Sequence, residues 1–147
     1  MARVGAPLAR RFEFSASIAR DGSLCAEDRE RLDPGEAWTP EHLLLAALCR
    51  CTLASLRFHA GAAGVEAGGS AAATGLVTKR ESDGRYAFVE ILCGLDVTLE
   101  REPDDVPALL ARAERDCFIA ASLTSAPEYE WRVNGQTLPP QPASQER

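Results

Sequence analysis

The chain is predicted to adopt an α+β fold, on three observations. A long apolar helix begins at Thr39-Pro40, a thirteen-residue alternation from Ala87 to Leu99 marks a long strand, and the elements come in groups rather than alternating singly. Single alternation of strands and helices would instead point to a doubly wound parallel sheet. A chain of 147 residues normally makes one domain and buries roughly two-thirds of its unfolded surface. Residues 1–138 are accordingly assigned to a single domain, and residues 139–147, polar and Pro-containing, to a disordered tail.

The elements follow in order. Leu8 to Ile18 alternates loosely around Phe12, Phe14, Ala16 and Ile18 and reads as a strand, and Asp21-Gly22 is a hairpin turn into a short strand near Leu24. Glu27 to Ala37 is charged, contains Pro34-Gly35 and reads as a loop. Thr39 then offers an N-cap hydroxyl, Pro40 suits the first helical position, and Glu41 complements the positive end of the helix dipole. Leu44, Leu48, Cys51, Ser55, Phe58 and Ala62 recur as one inner face of this helix. Leu45, Cys49, Leu53 and Leu56 form a second apolar strip, so the helix should be buried on most sides until glycine ends it around Gly61 to Gly64. Val65 to Lys79 reads as a small-residue strand joined by the turn Ser82-Asp83-Gly84 to the strand ending at Leu99. Asp104 or Asp105 caps a second helix with Val106, Leu109, Leu110, Ala113 and Cys117 on its inner face, and Tyr129 to Val133 is a final strand before Asn134-Gly135.

Composition narrows the function classes. A net charge of −6 argues against a general phosphate-binding surface, so no nucleic-acid partner is expected. No apolar run reaches the length of about 20 residues that spans a bilayer, and no signal-peptide pattern opens the chain; a cytoplasmic location without membrane partner is expected. Five cysteines in such a chain do not suggest a disulfide framework. The Cys49-x-Cys51 pair with His42 or His59 lacks zinc-site spacing, so no metal is expected. Neither histidine has a carboxylate partner at helical spacing, which argues against a histidine base.

The thiols carry what chemistry remains. Free cysteine is commonly a small core residue, and that reading suffices for Cys25, Cys93 and Cys49, the last pointing about 200° around the helix from Cys51. Cys51 and Cys117, on the inner faces of two different helices, point to redox chemistry. A thiolate is the nucleophile, and an ordinary cysteine with pKa of about 8.5 is mostly protonated at neutral pH, so such a site needs positive charge or hydrogen-bond donors.

Two stretches resemble a known family. Thr39-Pro40-Glu41-His42-Leu43-Leu44-Leu45-Ala46-Ala47-Leu48-Cys49-Arg50-Cys51 resembles the Pro-Glu-x-Leu…Cys helix of the OsmC/Ohr family of organic hydroperoxide reductases. Cys117-Phe118-Ile119-Ala120-Ala121-Ser122-Leu123 resembles that family's second cysteine motif, and the likeness in element order runs from about Phe12 to Val133. The resemblance implies an OsmC-like fold, antiparallel sheets around two central helices, in an intertwined homodimer with active sites at the subunit interface. It implies a cysteine-based peroxidase: Cys51 attacks an organic hydroperoxide to become a sulfenic acid, Cys117 resolves it to a disulfide, and an external dithiol such as a lipoyl group reduces that disulfide, with no bound cofactor. Glu41 maps onto the glutamate of the Pro-Glu motif, and Arg20, in Ala19-Arg20-Asp21-Gly22, onto the arginine that activates the thiol. Ala120-Ala121 stands where peroxidase branches often have Ser-Asn, Arg115 and Asp116 where histidine is frequent, and Cys49-Arg50 where residues are small, which places the chain in an OsmC-like side branch. Two other classes stay open: a homodimeric protein binding an apolar ligand, and a thiol transferase acting on another sulfur electrophile.

Overall fold

Two-residue alternation builds the strand that carries the core. The structure, a computed structural model, describes residues 9–140, so most of the expected C-terminal tail lies outside the described residues. The chain divides into an N-terminal unit ending at Thr39 and a second unit beginning at Pro40.

The N-terminal unit is an antiparallel sheet of three short strands, β1 (Ala16–Ile18), β2 (Leu24–Ala26) and β3 (Glu30–Leu32), in the order β1-β2-β3. Only the end of the expected Leu8 to Ile18 strand forms; Leu8 lies outside the described residues. At Ser15 the ladder stops because the Glu27 carboxylate takes the Ser15 N–H at 2.6 Å and its hydroxyl at 2.9 Å. β3 occupies a stretch expected to be loop. Its hairpin turns through Glu27 and Asp28 in the left-handed region, at φ 51° and 55°, without the glycine or asparagine that usually advertises such a turn.

The second unit opens with α1 (Pro40–Ala62), which starts at Pro40 as the capping pattern indicates. Its end is made by Gly64, whose φ of +71° suits glycine, with Val65 N–H closing on the Ala60 carbonyl at 2.9 Å. By length and composition α1 is apolar enough to cross a membrane, contrary to the expectation that no run is; in this fold its core-facing residues pack on protein. The hairpin β4 (Ala67–Lys79) and β5 (Tyr86–Leu99) follows, its turn closed by Arg80 and Asp83 in a two-pronged pair at 3.1 and 2.6 Å. β5 buries Ile91, Cys93, Leu95, Val97 and Leu99, the alternation read in the sequence. α1 packs against β4, and Gly75 lets it do so, because a Cβ there would stand 2.5 Å from the Phe88 ring and 3.4 Å from Leu45.

Asp105 caps α2 (Val106–Arg115) by accepting the Ala108 N–H at 3.0 Å, and Leu109, Leu110 and Ala113 are buried as expected. The helix ends at Arg115, not beyond Cys117. Asp116 closes it and Cys117 caps a separate short helix, α3 (Phe118–Ser122). β6 (Glu128–Val133) then lies parallel to β5, so the sheet it joins is mixed rather than wholly antiparallel. The crossover through α2 and α3 returns the chain to the same end of the sheet, which forces that orientation. β7 (Gln136–Thr137), after the Asn134-Gly135 turn, was not expected.

Candidate active site

The buried seam of α1 is not the stripe its apolar residues suggest. Leu48, Thr52, Leu56 and Ala60 are the helix residues removed from solvent, whereas Phe58 is 69% exposed and Ala62 is exposed. The seam runs between the two apolar strips, through a threonine. Spacing of four from Leu48 and from Leu56 was the available signal, hidden because Thr52 is polar. Its hydroxyl is satisfied within the unit, donating to Cys117 Sγ at 3.5 Å and lying 3.4 Å from the Tyr129 hydroxyl.

Cys117 is fully buried at the break between α2 and α3, where its sulfur also accepts the Ala120 N–H at 3.5 Å. Cys51, half-buried on α1, faces this break. Its thiol neighbours the Cys117 thiol and the backbone N–H groups of Ile119 and Phe118. The fold therefore brings the two motif cysteines together, and both are free thiols. Burial pushes the Cys51 thiol up; the Ile119 N–H opposes this, the Cys117 thiol adds to it, and the Phe118 N–H opposes it. Within this environment Cys51 is held mainly as the thiol.

Glu41, within the same unit, lies apart from this pair. Glu41 is exposed in the first turn of α1, and since one continuous helix carries both residues, the ten-residue separation sets it about 15 Å along the axis from Cys51. Arg20 is exposed in the β1–β2 turn of the N-terminal unit. Arg50, next to Cys51, is exposed.

Cys49 turns to the sheet side of α1, where Cys93 is its neighbour. Cys93 is in the core and Cys49, half-buried, packs against it; Cys93 is pushed up to about 12, first by burial and then by Cys49, and the Cys49 thiol is also raised by burial. Cys25 sits in β2, half-buried.

His59 has a carboxylate partner from outside its own helix, where a search at helical spacing does not reach. Its Nε2 lies 2.8 Å from Asp116 Oδ2, a residue 57 positions away and adjacent to Cys117. The pair ties α1 to the end of α2 beside the buried thiol. Among the described residues no group of three or more His, Cys, Asp or Glu side chains is placed to hold a metal ion.

The family model for OsmC-like proteins matches residues 33–132. Among curated proteins nothing matches. Among solved structures, the chain is similar to an OsmC-like protein of unknown function from Vibrio cholerae, with 16% identity, a TM-score of 0.68, and coverage of 82% of this chain and 99% of that one. It is also similar to the organic hydroperoxide resistance protein OhrB of Bacillus subtilis, with 18% identity, a TM-score of 0.54 and coverage of 84% and 98%. An organic hydroperoxide resistance protein from Legionella pneumophila aligns with 18% identity, a TM-score of 0.57 and coverage of 85% and 98%. At these identities the likeness is one of fold.

Proposed function

The chain belongs to the OsmC-like protein family, and from that membership and its facing thiols we propose that it reduces organic hydroperoxides through Cys51 and Cys117. The observation that carries this reading is that the fold makes the Cys51 and Cys117 thiols neighbours where α1 passes the break between α2 and α3. The names of the Bacillus and Legionella proteins, each an organic hydroperoxide resistance protein, supply the substrate class.

In the proposed cycle the Cys51 thiolate attacks the distal peroxide oxygen. An S–O bond forms, the O–O bond breaks, and the departing alkoxide takes a proton to become the alcohol. Cys51 is thereby oxidised to a sulfenic acid. The Cys117 sulfur then attacks the Cys51 sulfur, the hydroxyl leaves as water, and a disulfide forms. An external dithiol returns both thiols by exchange; a lipoyl group is the candidate.

The raised Cys51 thiol calls for an activating charge. Arg20 is proposed as that charge, with Glu41 orienting it, and the roughly 15 Å between Glu41 and Cys51 within one helix is the reason to assign Glu41 to the site of a second subunit. A homodimer also accounts for exposed apolar side chains. Phe14 at 79% and Ile18 at 70% in the N-terminal unit, with Phe58 at 69% on α1, would otherwise present large rings and branched chains to water.

The assay supplies purified protein with dihydrolipoamide and either cumene hydroperoxide or hydrogen peroxide. Preference for the organic substrate is expected, because removal of an alkyl group from water contributes about 25 cal/mol per Å². Cys51→Ser should abolish turnover, and Cys117→Ser should give one round that stops at the sulfenic acid. Wild-type turnover in Cys51→Ser, or no thiol consumption with either peroxide, would replace this reading by that of an apolar-ligand-binding dimer.

A further inference from the structure

Ser55 lies one helical turn beyond Cys51 on α1, and its Oγ is buried without a hydrogen-bond partner among the described residues. Burying a hydroxyl unpaired is unfavourable, and folded chains satisfy nearly all such groups. A serine within a helix usually bonds the carbonyl four residues back or faces water, and Ser55 does neither. Its direction follows from its neighbours. Cys51, four residues before, neighbours Cys117, Phe118 and Ile119. His59, four residues after, contacts Asp116. Residues four apart share a helix face, so Ser55 faces the same Asp116–Ile119 segment. Their Cβ atoms lie about 5–6 Å apart, which leaves room for one oxygen atom between the Cys51 sulfur and the Ser55 hydroxyl.

We propose that Ser55 is a catalytic residue that donates a hydrogen bond to the oxygen transferred from the hydroperoxide to Cys51, an inference that rests on the peroxidase reading above. The same oxygen is held twice. During attack by the Cys51 thiolate it is the distal peroxide oxygen, acquiring its bond to sulfur while the alkoxide leaves with the O–O electron pair. During attack by Cys117 it is the leaving oxygen of the sulfenic acid, which departs with the S–O electron pair and takes a proton to become water. A donor fixed at that point orients the first step and stabilises the charge that develops in the second.

The test compares reduced wild type with Ser55→Ala in a single turnover with cumene hydroperoxide, beside alkylation of Cys51 by iodoacetamide and thermal melting. Alkylation reports access to and ionisation of the same thiol without an oxygen to hold. Ser55→Ala should oxidise about tenfold more slowly, alkylate at the wild-type rate, and melt at or above the wild-type temperature, since the variant removes an unpaired buried group. Oxidation at the wild-type rate overturns the inference while leaving the peroxidase reading intact. A parallel fall in alkylation, or a lower melting temperature, gives Ser55 a packing role and also overturns it. A wild type inert to hydroperoxide overturns both.

Discussion

Thr52→Val tests whether the polar residue in the α1 seam ties the helix to the buried thiol and to β6. Val keeps the volume and branching of Thr, so the change removes a hydroxyl without opening a cavity. Thr52 is fully buried, and two contacts are lost: the donation to Cys117 Sγ at 3.5 Å and the pairing with Tyr129 at 3.4 Å. Both are long, so each contributes at the low end of the ~0.5–1.5 kcal/mol typical of an intramolecular hydrogen bond. The larger cost falls on Tyr129. Its hydroxyl is left in a site dry enough that burial raises the phenol well above its usual ionisation range. An unpaired group of that kind costs about 1–3 kcal/mol, taken here at the lower end because Tyr129 is only half-buried. The expected loss is about 1–2 kcal/mol. Urea unfolding of the reduced proteins at one concentration measures it as a lower midpoint with unchanged slope. Tyr129→Phe removes the other partner, so the double variant should lose about 1 kcal/mol less than the sum of the singles. Wild-type stability in Thr52→Val, or additivity within about 0.5 kcal/mol, would refute the reasoning.

Two further outcomes are expected. Burial raises the Glu114 carboxyl above its ordinary value of 4.5, although Trp131 Nε1 donates to it at 2.8 Å. A raised folded-state value contributes stability that is complete below the unfolded value and lost as pH rises through the folded one. Glu114→Gln should therefore melt higher than wild type at about pH 7, with the gain vanishing near pH 4; an equal gain at both would contradict the assignment to the charge. Sedimentation of the wild type should give a dimer at micromolar concentration, with an interface of more than about 2,000 Å². A monomer would remove the proposed source of Glu41 at the site.

The parts of the fold that were legible in the sequence are those in which burial imposes a period. β5 was legible because Ile91, Cys93, Leu95, Val97 and Leu99 all enter the core from one face of the strand. The start of α1 was legible from Pro40, and the cap of α2 from Asp105. The seam of α1 was not, because it passes through Thr52, whose hydroxyl finds its partners 65 and 77 residues away. Distance along the chain hid the His59 and Asp116 pair in the same way. No glycine or proline marks the break at Asp116-Cys117, so α2 and α3 read as one helix until the structure separates them. β3 and β7 are three and two residues long, too short for alternation to appear. The meeting of Cys51 with Cys117 was indicated by the motifs rather than by any period, since each thiol alone reads as a core residue.

Mapping the oxidised protein tests the central claim most directly. Fully reduced wild type is treated with one equivalent of cumene hydroperoxide, remaining thiols are blocked, and the digest is analysed for cross-linked peptides. A single disulfide joining Cys51 to Cys117, with Cys25, Cys49 and Cys93 recovered as blocked thiols, is the predicted result. Peroxide consumption that leaves Cys51 and Cys117 unlinked, or a cross-link between Cys49 and Cys93 in their place, would contradict the account.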